Sequence, residues 1–426
     1  MYPFIEQLIS YNSCNISEKI GMLILDVKGN FHYMVKEYCD KYDRQSDLIT
    51  IELGGKFFYN PLDKPHLKPQ IIANRLKTIL LLFSQNNSDS YWLDKVEQII
   101  CEAIKLCRLY NSGYVTFEEI HKLVMHKEYF YEKLSLLRST FLSGLLSTEN
   151  IYDILSAINF FEKEYFLLDS RTLSILKSEI TRITNYFISD YQILQTFCPD
   201  KNKINFNGFS DVIENGKIVV LNMNIALYQN LSKIIATYLK LDFQTEVLGK
   251  LTTNLPHRKV AFICDEYHEY VTSTDANFFS QSREAKCINI IATQSYTSLQ
   301  LTLNDTSSVK VIVQSLINKL WFRSDDILTI EDIQKQIGKE DKELISQSIS
   351  ENAQHTVFSY FTNSLNSKDS NISQTLNHYT NFDYKFDTNF FTKELETFSA
   401  LAFLSDGNKI LPIEKIYLTP YFKKLK

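Results

Sequence analysis

The sequence predicts an α/β fold: a mostly parallel sheet with helices on both faces, interrupted by an inserted all-α block. Three observations carry this prediction. Short apolar runs with polar ends alternate with helix-length amphipathic segments. From Gln70 to Pro199 the only glycines are Gly113 and Gly144, and no proline occurs before Pro199 itself. Beyond that interval the strand pattern returns.

In chain order, MYPFIEQLISYN opens with Phe4, Ile5, Leu8 and Ile9 at helical spacing. The run GMLILD ends at Asp26, with Lys28 and Gly29 just after it, and reads as a buried strand with a polar end. FHYMVKEYCDKY then predicts a helix and DLITIEL a strand, a β-α-β alternation that implies parallel pairing. The loop GGKFFYNPLDKPHLKP closes a first block, residues 1–69.

Residues 70–200 form the all-α block. Segments such as IIANRLKTILLLF, YWLDKVEQIICEAIKLCRLY and RTLSILKSEITRITNYFISDY repeat apolar residues at intervals of three and four. Thr116 followed by Glu119 has the spacing of a capping box before Ile120.

Residues 201–426 resume the sheet pattern. Asn215-Gly216 signals a turn, KIVVLNMN a strand, and Tyr228 to Leu251 a long helix leading to the loop TTNLPH. Lys259 to Cys264 is an apolar run closed by Asp265 and Glu266; Ile288 to Ala292 is closed by Thr293 and Gln294, with the helix-like FFSQSREAK between them. Helix-like SYTSLQLTL and SVKVIVQSL follow, then a strand at Asn318 to Arg323 and the helix-like ILTIEDIQKQIG. Lys339 to Asn389, rich in Ser and Asn, predicts exposed strands or loop. SALAFLSDGNKILPIEKIYL reads as two strands joined through Asp406-Gly407.

Composition narrows the function classes. Over 426 residues, 44 % are apolar and 22 % charged, a globular mix, and the formal net charge of −5 argues against nucleic-acid binding by bulk attraction. Seven scattered cysteines without a CxxC pair speak against structural zinc and for a reducing compartment. The apolar run Ile79 to Phe83 is far short of the ~20 residues of a membrane helix, and no basic-then-apolar leader opens the chain.

The chemistry concentrates between Lys259 and Gln294. In open α/β sheets ligands sit outside the carboxyl ends of parallel strands, so neighbouring strands ending in Asp265-Glu266 and Thr293-Gln294 aim both polar pairs at one crevice. A strand-end carboxylate can hold Mg²⁺, and an adjacent Glu can orient or deprotonate water. Alone, Asp-Glu after an apolar run more often only marks the chain emerging into solvent; Thr293-Gln294 at a second strand end shifts that balance. Gln294 can both donate to and accept from a γ-phosphate. Arg283 sits between them, either as a solvated charge paired with Glu284 or Asp275, or as a group that reaches a nucleotide in a neighbouring subunit. G-x-x-x-x-G-K-[ST] occurs nowhere in the chain. His268, near Glu266 and Glu269, lacks HExxH spacing and reads as a solvated residue rather than a metal ligand.

These residues resemble a family. VAFICDEYHEYV, FFSQSREAKCINIIATQSYTSL and INKLWFRSDD are similar to the motor domain of type IV secretion coupling proteins, the TraG/TraD-type ATPases of conjugative DNA transfer. GMLILDVKGNF resembles the family's strand after the phosphate-binding loop, the helical block its inserted all-α domain, and LAFLSDGNKILP its closing strands. The resemblance implies a RecA-like P-loop NTPase sheet domain in which Asp265 and Glu266 are the Walker B pair, Gln294 the sensor and Arg283 the arginine finger. Asp265 would bind Mg²⁺, with Asp26 and Lys28 facing ATP. It implies a homo-hexameric ring acting on single-stranded DNA and a relaxase complex, with other type IV secretion components, at the cytoplasmic face of a bacterial membrane. It also implies that the chain starts just downstream of the Walker A loop, through a misassigned start, an interrupted gene or a loop supplied from elsewhere, and is inactive as given. Two other readings are a non-catalytic module docking transfer substrates and a Mg²⁺-dependent nuclease using Asp26, Asp265 and Glu266.

Overall fold

The structure, a computed structural model, describes residues 1–82, 90–142, 148–252, 258–351, 357–359, 364–366 and 372–420. The end of the apolar run at Phe83, most of the TTNLPH loop and parts of the Ser/Asn-rich segment lie outside the described residues. Residues 1–317 form one compact unit and residues 318–420 a second.

In the first unit the order is α1 (Tyr2–Ser10), β1 (Gly21–Leu25), α2 (Phe31–Lys41) and β2 (Leu48–Ile51). The helical block follows: α3 (Pro69–Leu81), α4 (Ser90–Tyr110), α5 (Phe117–Met125), α6 (Lys127–Leu142), α7 (Thr148–Asn159), α8 (Ser170–Ile188) and α9 (Tyr191–Phe197). Then come α10 (Phe209–Asn215), β3 (Ile218–Leu221), α11 (Ile225–Gly249), β4 (Val260–Cys264), α12 (Asp275–Ser282), β5 (Cys287–Ile291), α13 (Tyr296–Leu303) and α14 (Thr306–Ser315).

Five strands pair in the order β2-β3-β1-β4-β5, all parallel. The β-α-β reading of the first block therefore holds for direction, while β3, from beyond the helical block, lies between β1 and β2. β1, β3 and β4 are buried along their whole length, as expected of strands covered on both faces. Alternate residues serve two cores. Met22, Ile24, Ile218, Val220, Ala261 and Ile263 pack with Ile5, Ile9, Phe31 and Val35 of α1 and α2. Leu23, Leu25, Val219, Leu221, Phe262 and Cys264 join a second core that continues through α11 into the helical block. Gly21 permits the close contact between β1 and α10: a Cβ there would sit 2.1 Å from the Val212 carbonyl oxygen. β5 is an edge strand, mostly half-buried.

Within the helical block Phe117 and Phe187 stack at 3.8 Å. The predicted cap is present in half: the Glu119 amide donates to Thr116 Oγ1 at 3.2 Å, but the Glu119 carboxylate turns to accept from Tyr110 OH (2.6 Å) and Tyr129 OH (2.9 Å). The seven cysteines are all free; Cys14 is exposed, Cys198 half-buried and the other five buried.

The second unit holds β6 (Lys319–Trp321), α15 (Ile327–Ile337), β7 (Lys339–Glu351), β8 (Val357–Ser359), β9 (Ser364–Asn366), β10 (Ile372–Tyr384), β11 (Ser399–Phe403) and β12 (Glu414–Tyr417). β7 and β10 pair antiparallel over thirteen residues, from Lys339↔Tyr384 to Glu351↔Ile372, the exposed strands anticipated for the Ser/Asn-rich segment. β11 and β12 form the expected hairpin, with Asp406 Oδ1 accepting from the amides of Asn408 and Lys409. β11 also pairs with β6, so these strands build a three-stranded antiparallel sheet of their own and do not extend the five-stranded one.

Candidate functional site

The carboxyl ends of β1, β4 and β5 meet side by side, and with them the residues singled out in the sequence. Backbone bonds knit these ends together: the Asp265 amide donates to Leu25 O (3.0 Å) and the Ala292 amide to Cys264 O (2.9 Å). Directly after Asp265 the chain takes a left-handed step at Glu266 (φ 48°), uncommon for a residue other than glycine. That step turns the chain toward β5, where the Tyr267 amide donates to Ala292 O at 2.8 Å. Glu266 consequently lies beside the second strand end, and its Oε1 accepts from Gln294 Nε2 at 3.1 Å.

Asp26 closes β1 and is buried; its Oδ2 accepts from the Asn30 amide at 3.0 Å, while Oδ1 has no hydrogen-bond partner. Burial raises its pKa to about 6, with the neighbouring Asp265 adding to the rise and backbone amides opposing it. Asp265 is also raised, first by burial and then by Glu266, against the pull of the Met1 amine and Lys28. That amine belongs to the residue capping α1, and burial lowers its pKa although Asp265 raises it. The positive end of α1 thus lies near Asp265. Lys28 is itself exposed, and its carbonyl is held by Asn224 Nδ2 at 2.9 Å, which ties the loop after β1 to the one after β3.

Asp26, Lys28, Asp265, Glu266 and Gln294 therefore lie near one another at the carboxyl ends of β1, β4 and β5. Arg283 does not. It follows α12, exposed, four residues before β5 begins, whereas Gln294 follows the end of that strand. It lies toward the amino ends of the parallel strands and does not pair with Asp275, which is held by Lys240. Among the described residues no group of three or more His, Cys, Asp or Glu is arranged to hold a metal ion.

Sequence reasoning missed what fixes the turn. Asp275 accepts from Tyr267 OH, the Thr272 amide (3.0 Å) and Gln244 Nε2 (2.9 Å), and pairs with Lys240. Its signal was present: Lys240 and Asp242 interrupt the apolar IIATYLKLDF of α11, where solvated charges do not belong. His268, set aside as a metal ligand, stands with Nδ1 3.3 Å from Thr293 Oγ1 and 3.6 Å from Glu266 Oε2.

Comparison with known proteins bears on this arrangement. Residues 259–378 match the family model described as the TraM recognition site of TraD and TraG. The chain resembles the TraG/TraD-type coupling proteins of type IV secretion. The bacterial conjugative coupling protein TrwBdeltaN70, unbound monoclinic form, shares the fold at a TM-score of 0.58 and 12 % identity, over 94 % of this chain and 78 % of that one. The plasmid coupling protein TrwB with the non-hydrolysable GTP analogue GDPNP gives 0.58 and 12 %, over 94 % and 79 %. TrwB with ADP and Mg²⁺ gives 0.58 and 12 %, over 94 % and 78 %. No curated protein matches the chain. A coupling-protein fold means a RecA-like sheet domain with an all-α domain, as the strand order and the helical block display. Among the described residues no helix is long and apolar enough to cross a membrane.

Proposed function

We propose that the chain is the cytosolic motor part of a coupling protein, linking ATP hydrolysis to transfer of relaxase-bound single-stranded DNA. The supporting observation is the meeting of Asp26, Asp265, Glu266 and Gln294 at three adjacent strand ends, with the positive end of α1 beside them. The nucleotide and Mg²⁺ of the TrwB complexes fit these residues. Asp26 Oδ1 is a buried carboxylate oxygen without a partner, next to a second carboxylate, and hard oxygen donors of this kind suit Mg²⁺. Bound there, the ion would neutralise charge on the phosphates.

The chain's own residues divide the remaining work. Asp265 faces the ion; Glu266, held by Gln294, orients the attacking water and accepts its proton; Gln294 reports the γ-phosphate through that same contact. Lys28 adds positive charge at the rim. Arg283, toward the amino ends of the strands, acts only on a neighbouring subunit's nucleotide, which requires the hexameric ring. The Gly-rich loop that cradles the phosphates is absent from residues 1–426.

The test compares residues 1–426 with the same chain carrying an in-frame G-x-x-x-x-G-K-[ST] segment ahead of Met1. The shorter chain is expected to show no measurable ATPase activity and the longer one to hydrolyse ATP, with Glu266→Gln slowing it by roughly 10²- to 10⁴-fold. Brisk hydrolysis by residues 1–426, or an indifferent Glu266→Gln, would overturn the proposal.

A further inference from the structure

Just past the left-handed step at Glu266, the tight turn Tyr267–Glu269 brings a histidine back beside that carboxylate. The turn is fixed from within and from behind. Its Glu269 amide donates to Glu266 O at 2.9 Å, and Tyr267 and Tyr270, both buried, anchor one face of it. His268 and Glu269, between the two tyrosines, are half-buried, and His268 stands next to Thr293 beyond the end of β5.

The neighbours of the His268 ring decide where its hydrogen sits. Thr293 Oγ1 donates its single proton to Ser295 O (3.4 Å), so toward His268 Nδ1, 3.3 Å away, it accepts, and Nδ1 carries the hydrogen. That N–H has a second oxygen before it, because Glu266 Oε2 lies 3.6 Å from the same nitrogen. On the other side of the ring Nε2 is 3.7 Å from Glu269 Oε1, and Glu269 Oε2 pairs with Lys233 Nζ of α11. Glu266 Oε1 accepts from Gln294 Nε2 at 3.1 Å. Each oxygen of Glu266 thus faces a donor on a different segment, Gln294 after β5 and His268 in the turn. The His268 and Glu266 side chains are 15 % and 25 % exposed, so water screens their attraction only in part.

We propose that His268 is a positioning residue for Glu266. Its Nδ1–H holds the second carboxylate oxygen as Gln294 holds the first, and together they fix the plane in which the carboxylate meets a water molecule. Glu269, anchored by Lys233, keeps the ring from turning over. At 3.6 Å the contact is longer than a hydrogen bond, and contacts of this kind tighten when substrate fills a site. The inference rests on the nucleotide reading for the work that Glu266 does; the contact between the two side chains does not.

The experiment has two arms. The first uses the chain with the in-frame loop ahead of Met1. His268→Ala is expected to lower kcat by about ten- to a hundredfold and to leave KM for ATP within about twofold, because only the orientation of Glu266 is lost. His268→Asn, which returns an N–H donor at the place of Nδ1, should recover most of kcat, whereas His268→Gln, whose amide reaches the place of Nε2, should not. Added to Glu266→Gln, His268→Ala should cost less than about twofold, since the group it positions is already gone. The second arm needs no nucleotide: in residues 1–426 the loss of Tm on His268→Ala should be smaller in a Glu266→Ala background than in the parent chain. A KM that rises as far as kcat falls, rescue by Gln as complete as rescue by Asn, a full His268→Ala loss on top of Glu266→Gln, or equal Tm losses in the two backgrounds would each sink the proposal. Failure of the loop-bearing parent to hydrolyse ATP would instead count against the nucleotide reading, and the melting comparison then decides for or against His268 by itself.

Discussion

Asp275 and Asp242, packed along α11, contrast with Asp26 at the end of β1. All three are buried, yet Asp275 meets one cation, Asp242 two, and Asp26 has none paired with it. At Asp242 burial pushes the carboxyl up, but Lys64 and Arg75 overcome it and hold the pKa below the ordinary range. At Asp26 burial prevails and the pKa stands near 6. The difference teaches where the fold has finished its own electrostatics and where it has not. The Asp275 network is closed, with Tyr267, Thr272 and Gln244 filling the carboxylate around Lys240. Asp26 Oδ1 and the Arg75 nitrogens Nε and Nη2 are the unfinished ends, one negative and one positive, and Asp26 borders the proposed nucleotide site.

The largest test of this comparison removes the single partner. Lys240→Met would strand the Asp275 charge in the core, and urea denaturation should show a loss of about 3–5 kcal/mol. A loss below about 1 kcal/mol would mean that the neutral donors suffice and that counting cations is the wrong measure.

Asp26 comes next, and its effect depends on pH. Because its folded pKa lies above the unfolded value, the native state holds the proton more firmly between about pH 4 and pH 6, so its contribution falls as pH rises through that window and is flat above it. The gap between about 6 and the ordinary value of 3.8 corresponds to as much as ~3 kcal/mol. Asp26→Asn should therefore stabilise the protein at pH 7.5 and lose that advantage near pH 4.5, in paired denaturation curves. A pH-independent difference would show that the carboxyl is not strained by burial.

The smallest effect is expected where a cation is in excess. Lys64→Met leaves Asp242 and Arg75 as a one-to-one pair, so the cost should be about 1 kcal/mol, the value of an ordinary hydrogen bond. A loss as large as that of Lys240→Met would erase the distinction between the two clusters.

Much of the strand-end crevice was legible because its signals are local. The apolar run closed by Asp265-Glu266 and the largely apolar one closed by Thr293-Gln294 announce strands with polar ends, and β4 and β5 do lie side by side. Thr116 announced its helix for the same reason, its amide partner being three residues away. The α11 clusters were not legible. Asp242 draws its partners from Tyr59, Lys64 and Arg75, more than 160 residues earlier, and no spacing rule reaches that far. Arg283 shows the opposite limit. Its neighbours in sequence suggested the crevice, but a helix running back between two parallel strands leaves the residue after it near the amino end of the next strand, away from the carboxyl ends.

The thiols give the first unit a chemical clock. All seven cysteines fall within residues 1–317, and only Cys14 lies fully in the open. Burial lifts Cys39, Cys107 and Cys198 to about 12, so each of these thiols stays protonated and unreactive for as long as it is buried. Native protein treated with a maleimide would take up one label quickly and the rest only as the sheet and helical block open. Because the described part of the second unit has no cysteine, unfolding there would leave that count unchanged.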